Sequence, residues 1–233
     1  MKTSIHKIII NIILMVIMEN IAAQNPGEII FSASMIDPSN PSGTETEFNA
    51  GEKIYAVAYL PDMLKNLYQN QSPTASLQVE IFIYELKAPM YEYQQPMEMQ
   101  LTFANMWVNG TVKDSKYLMI DLVPDPAKTT AYGSKDIVYK LFGKKYEGPV
   151  AFAEALAALP AGEHKLKVVV QCYYAPVASG VITIKGDNYA AYAKLAEQIN
   201  EAAANAAAAD AAFPKAVTSD PFFFVRMMAA FKN

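Results

Sequence analysis

Hydrophobic and polar residues alternate most regularly between positions 77 and 84. Leu77, Val79, Ile81 and Ile83 fall on one side of an extended chain, with Gln78 and Glu80 on the other. A period of two predicts a strand with one face buried. Phe82 and Tyr84 place rings on the polar side, so that side is expected to be partly covered. Further strands are predicted over residues 28–34, 53–60, 117–123, 165–174 and 180–185, and where Met99, Leu101 and Phe103 alternate with Gln100 and Thr102. Asn109-Gly110 is a turn signal, and residues 106–112 and 117–123 are expected to form a hairpin around the turns between them. In the 165–174 strand, Leu166, Val168, Val170, Cys172 and Tyr174 share one parity. That phase points them to the core, beside Leu77, Val79 and Ile81 on a facing or adjacent strand.

Turn chemistry separates these runs. Residues 37–43 combine Asp, Asn, Pro and Gly in one loop, and Asn49-Ala50-Gly51-Glu52 makes a second turn. Asp62 is expected to cap a short helix reaching Tyr68. Residues 87–97, with Pro89, Tyr91, Tyr93 and Pro96, read as a long loop or an edge.

The period changes to helical in three places. Ser134 is a cap for a helix carrying Ile137, Val138, Leu141 and Phe142, stopped at Gly143. Pro149 suits the first turn of a second helix, with Phe152, Leu156 and Leu159 on one face and Pro160 as its end. From Asp187, the residues Tyr189, Tyr192, Ala196, Ile199 and Ala203 follow helical spacing into an alanine-rich run, 202–212, ended by Pro214. After a linker at 213–219, Asp220-Pro221 opens a last segment. Phe224, Met227, Met228 and Phe231 recur in it at helical spacing, with a strand over 222–228 as the alternative. That segment is too apolar to stay in water, so it is expected to dock on its own domain or on a partner.

Many short strands and few strand–helix–strand alternations predict a mainly β fold. The form expected is an antiparallel β-sandwich, Ig-like or jelly-roll-like, with inserted short helices and a C-terminal helix; an α+β domain is the alternative. The sandwich is expected over residues 24–186 with a helical insertion near 134–159. A helix at 187–212 and the apolar segment 213–233 follow.

The N-terminus carries Lys2 and Lys7 before an apolar run over residues 8–18 and the small pair Ala22-Ala23. This is the pattern of a secretory signal peptide cleaved after Ala23, and the run falls short of the ~20 residues that span a bilayer. A secreted or periplasmic protein is therefore expected, with no transmembrane helix in the mature chain. Losing Lys2, Lys7 and Glu19 makes the formal charge of −4 one unit more negative. An acidic chain of this kind is no coat for nucleic acid. With 52% hydrophobic residues it is not disordered, and its 233 residues allow one substantial core. Cys172 is the single cysteine, so no disulfide within the chain supports that core.

Candidate chemistry is sparse. His164 is the one histidine beyond the leader and reads as a strand-edge residue, which leaves no Ser-His-Asp set. On its parity, Cys172 reads as an inert core thiol. No His/Cys metal set exists, and no cofactor motif is present. The oxygen groups Asp37, Asn40 and Glu45, and Asp121 with Asp125, read as solvated turn residues and not as a calcium site. Glu80 with Glu85, and Asp121 with Asp125, are the carboxylate pairs a glycosidase-like hydrolase would need. The enriched class is aromatic, with 14 Tyr, 11 Phe and one Trp, clustered at Tyr91/Tyr93 and Tyr173/Tyr174. Exposed rings of this kind stack on sugars or anchor protein partners. The expected function is therefore an exported, non-enzymatic protein that binds a protein or glycan at the cell envelope or outside the cell. Its candidate contact residues are Tyr91, Tyr93, Phe224, Met227, Met228 and Phe231. A secreted hydrolase is the alternative.

Overall fold

The computed structural model describes residues 25–68, 72, 74–89, 96–127, 137–139, 141–142, 145–146 and 148–209. The leader 1–23, Tyr91 and Tyr93, and the segment 213–233 with Phe224, Met227, Met228 and Phe231 lie outside the described residues.

The fold is mainly β, with two larger sheets, one small one and few helices. The strands are β1 (Ile29–Ser32), β2 (Glu47–Asn49), β3 (Ile54–Tyr59), β4 (Leu77–Lys87), β5 (Met97–Val108), β6 (Tyr117–Val123), β7 (Ile137–Tyr139), β8 (Leu141–Phe142), β9 (Lys145–Tyr146), β10 (Gly162–Cys172) and β11 (Ala175–Gly186). The large sheet has the order β2-β11-β10-β4-β5-β7 and the smaller one β1-β3-β6, while β8 and β9 pair alone. Helix α1 spans Pro149–Ala157 and α2 spans Ala191–Ala209. Among the described residues, no helix is long and apolar enough to cross a membrane.

The parity argument holds in the centre of the large sheet. Val168 lies opposite Ile83, Val170 opposite Ile81 and Cys172 opposite Val79 on β4, and all six are buried. Inward residues of both larger sheets, including Ile54, Ala56, Ala58, Leu118 and Ile120, belong to the same hydrophobic cluster. Phe152 and Leu156 of α1 join it, as do Tyr189, Tyr192, Ala196, Ile199 and Ala203 from the C-terminal helical stretch. Strand β3 is buried along its whole length. Its second face is covered by the loop carrying Ile36, and the Tyr59 hydroxyl pins that loop by donating to the Pro38 carbonyl at 3.0 Å. The sheets meet tightly at Gly180, where an added Cβ would lie 2.5 Å from the Ile29 carbonyl oxygen and 2.6 Å from the Phe31 ring. No larger residue fits there without moving β1.

Several expectations are corrected. The segment expected as a helix carrying Ile137, Val138, Leu141 and Phe142 forms strands, and β7 pairs with the end of β5. The β-branched pair Ile137-Val138 favours the extended chain, and β5 offers an open edge to it. Segments 106–112 and 117–123 form no hairpin. A 3-10 turn at Gly110–Asp114 carries the chain from the large sheet to the small one, where β6 pairs with β3. The alternation expected over Met99, Leu101 and Phe103 is interrupted: Phe103 lies opposite outward Phe82, Ala104, Met106 and Val108 point inward, and a register shift between Ile83 and Tyr84 then places Met99 opposite Glu85. Pairing is not wholly antiparallel, because β2 joins β11 in parallel. Asp62 is not the helix cap. A 3-10 turn at Leu64–Leu67 begins after Met63, and the Asp62 carboxylate accepts the Met63 N–H at 2.7 Å and the Asn66 amide at 3.0 Å.

Candidate functional site

Strands β10 and β11 form a long hairpin whose turn is Tyr173-Tyr174, since Cys172 pairs with Ala175. A two-residue hairpin loop needs positive φ at both central positions, which is why Asn-Gly is the favoured pair there. Here two tyrosines take it, with φ of 50° and 66°. They are the non-glycine residues with positive φ among the described residues. A bulky side chain in this region is strained, and such strain gathers at functional sites. The parity that assigned Tyr174 to the core therefore ends at Cys172. Tyr174 is 84% exposed and Tyr173 57%.

The two tyrosines stand over a cleft of about 170 Å³ lined also by Tyr68, Gln78, Glu80 and Trp107. Its floor is the outward face of β4 and β5, where Gln78 lies opposite Trp107 and Glu80 opposite Asn105. Gln78 donates to the Asn105 side chain at 2.7 Å, and Ser76 donates to the Asn109 side chain at 2.5 Å, so these four side chains are held in place. Tyr68 forms a wall. Its ring meets Tyr173 edge to face at 6.3 Å, Tyr173 lies 5.9 Å from Tyr174, and the Tyr68 hydroxyl donates to the Gln78 carbonyl. Burial, helped by the nearby Cys172 and Glu80, drives the Tyr68 phenol well above its ordinary range, so it stays neutral. Further along the same face, Phe82 stacks on Tyr84 at 6.1 Å and on Phe103 at 5.7 Å. This confirms the partial cover expected of the polar side of β4.

The remaining candidates fall elsewhere. Cys172 is buried on the inner face, and its thiol is pushed up to about 11, first by burial and then by the Glu80 charge, against a hydrogen bond with Tyr68. It is a packing residue. His164 is not a strand-edge residue. It is buried in β10, with Nδ1 2.7 Å from Glu85 Oε1 and Nε2 2.9 Å from the Pro160 carbonyl. Both ring nitrogens are thus engaged within the fold. The two carboxylate pairs named for a hydrolase are not left free as pairs. Glu80 faces out of β4 while Glu85 lies in its buried phase, and Asp125 is paired with Lys53 at 2.5 Å. Asp37 accepts from Ser39 and Glu45 accepts from the Ala33 N–H, so these carboxylates serve their own loop.

Sequence reasoning noticed the Tyr173/Tyr174 cluster but missed Tyr68, Glu80 and Trp107 as its neighbours. The pairing of β10 with β4 brings them together, and no local pattern announces that pairing. The chain has no match among models of known protein families or among curated proteins.

Proposed function

We propose that this is an exported, non-enzymatic protein that binds a partner at the cell envelope or outside the cell, and that the Tyr173–Tyr174 cleft is its recognition surface. In this reading the two larger sheets pack as a β-sandwich, and the hairpin turn at its end presents the contact residues. The observation that carries it is the pair of exposed tyrosines held in a strained backbone beside Trp107 and Glu80. A turn free to be Asn-Gly would relieve that strain, so its tyrosines are kept for what they touch. Rigid exposed aromatics bring large contact area at small entropic loss, the usual make-up of a binding hot spot. The leader pattern supports export.

Pull-down from envelope extract tests the reading, comparing the protein with its Tyr173→Asn/Tyr174→Gly variant. The parent is expected to retain a protein or glycan that the variant loses. Equal retention by both overturns the cleft as the recognition surface. N-terminal sequencing of the native protein tests export, and a chain beginning at Met1 overturns it.

A further inference from the structure

We infer that the cleft receives a basic side chain, best met by arginine, from a protein partner, with Glu80 as its counter-ion; this rests on the binding reading above. Glu80 is the one charged residue lining the cleft among the described residues. Neighbouring carboxylates of the large sheet are paired: Glu85 with Lys87 at 2.5 Å and Glu98 with Lys167 at 2.7 Å. The Glu80 side chain has no hydrogen bond or ion pair among the described residues, although it is half-buried among rings. A carboxylate drawn partly out of water without a partner is unfavourable until a cation reaches it. The rings add to the same field. Tyr68, Trp107, Tyr173 and Tyr174 line the cleft, and the π face of an aromatic ring attracts a cation most strongly where water is displaced. A flat guanidinium can both stack on a ring and donate in a fork to a carboxylate. A neutral sugar would use the rings and leave Glu80 without its counter-charge, and an anion would be repelled.

Size and net charge agree. The cleft of about 170 Å³ is smaller than the ~300–1,000 Å³ pockets that enclose whole small ligands. It suits one side chain anchored from a larger surface. The formal charge of −4 steers a basic partner toward this protein.

Trp107 is the only tryptophan in the chain and lines the cleft, so its fluorescence reports occupancy. The protein is titrated with acetyl-arginine amide, with the neutral isostere acetyl-citrulline amide and with methyl glucoside. The arginine probe is expected to shift Trp107 emission saturably, and the citrulline probe is not. Glu80→Gln is expected to weaken the arginine response about tenfold or more, the loss typical of a charge-assisted hydrogen bond. Comparing the two probes on the parent protein decides the matter even if that variant folds poorly. Equal responses to arginine and citrulline, no response to arginine, or an unchanged response in Glu80→Gln each overturn the inference. A saturable response to the glucoside alone also overturns it, and assigns the cleft to a glycan within the same binding reading. Failure of that reading shows separately, as an envelope partner retained by the Tyr173→Asn/Tyr174→Gly variant.

Discussion

The two ends of the β10–β11 hairpin are built on opposite terms. At one end Gly162 pairs with Gly186, and both take positive φ, 144° and 116°, which glycine adopts without strain. Beside them His164 is held at both nitrogens, between Glu85 and the Pro160 carbonyl. The Tyr189 ring meets the imidazole edge to face at 5.2 Å, and its hydroxyl lies 2.8 Å from the Ile184 carbonyl and 3.1 Å from that of Gly162. The polar atoms of buried His164 and Tyr189 are satisfied there, and the positive-φ positions are glycines. At the other end, tyrosines occupy the positive-φ positions, their rings face water, and Glu80 is left without a partner among the described residues. The same two strands thus carry an end tuned for stability and an end that forgoes it. In the binding reading proposed above, stability is given up where a surface is presented.

The largest effect is expected at the stable end. His164→Ala removes the donor to the Pro160 carbonyl and a partner of buried Glu85, and leaves a gap under Tyr189. A loss of about 3 kcal/mol is expected, because buried polar groups lose their partners. Urea unfolding measures it, and a loss below about 1 kcal/mol would erase the contrast between the two ends. The same end should respond to acid. Burial raises the Glu85 carboxyl, but hydrogen bonds and charge from Lys87 and His164 outweigh it and hold the group below its ordinary value. A depressed carboxylate stabilises the fold above its unfolded pKa, and that contribution fades as pH falls through the folded value. The stability gap between the parent and Glu85→Gln is therefore expected to be full at neutral pH and to narrow below about pH 4. A gap that stays constant to pH 2 contradicts the assignment.

At the strained end the sign reverses. Tyr173→Asn/Tyr174→Gly installs the pair that the turn geometry favours, and is expected to raise stability by about 1–3 kcal/mol. The cost falls on binding, as in the pull-down above. Destabilisation by this variant would mean that the rings hold the hairpin together, through the Tyr68–Tyr173 contact, and that the turn has a structural role.

The sequence made the central strands legible because one face of each is buried, and burial writes itself as alternation. Val168, Val170 and Cys172 against Ile83, Ile81 and Val79 follow from that alone. Partners were harder to read. Nothing local tells β6 to leave β5 for β3, since the choice depends on a 3-10 turn and a sheet edge far along the chain. The strands at 137–142 were hidden for a related reason: apolar runs of two or three residues fit a helical wheel as well as a short edge strand. For the cleft, Tyr173 and Tyr174 were visible as a cluster, but their backbone strain was not. The residues that make them a site, Tyr68, Glu80 and Trp107, arrive from three other parts of the chain. The buried His164 shows the converse. Its place just after the Pro160-Ala161-Gly162 turn suggested a strand edge, but it shares the inward phase of Leu166 and Val168, and Tyr189 packs over it.

The smallest effect is expected from Glu80→Gln, and it is the most discriminating. Glutamine keeps the shape of the side chain, removes the charge and breaks no hydrogen bond among the described residues. Its stability is therefore expected to stay within about 0.5 kcal/mol of the parent at neutral pH, as for a substitution that disturbs no buried partner. Glu85→Gln, five residues along the same strand, breaks contacts with Lys87 and His164. It is expected to cost more at that pH, because a buried ion pair loses one member. Unfolding both variants side by side in urea at pH 7 makes the measurement. If Glu80→Gln is as damaging as Glu85→Gln, the outer carboxylate belongs to the fold and the two ends of the hairpin are built alike. If it is neutral, Glu80 is free to serve a partner that approaches from outside.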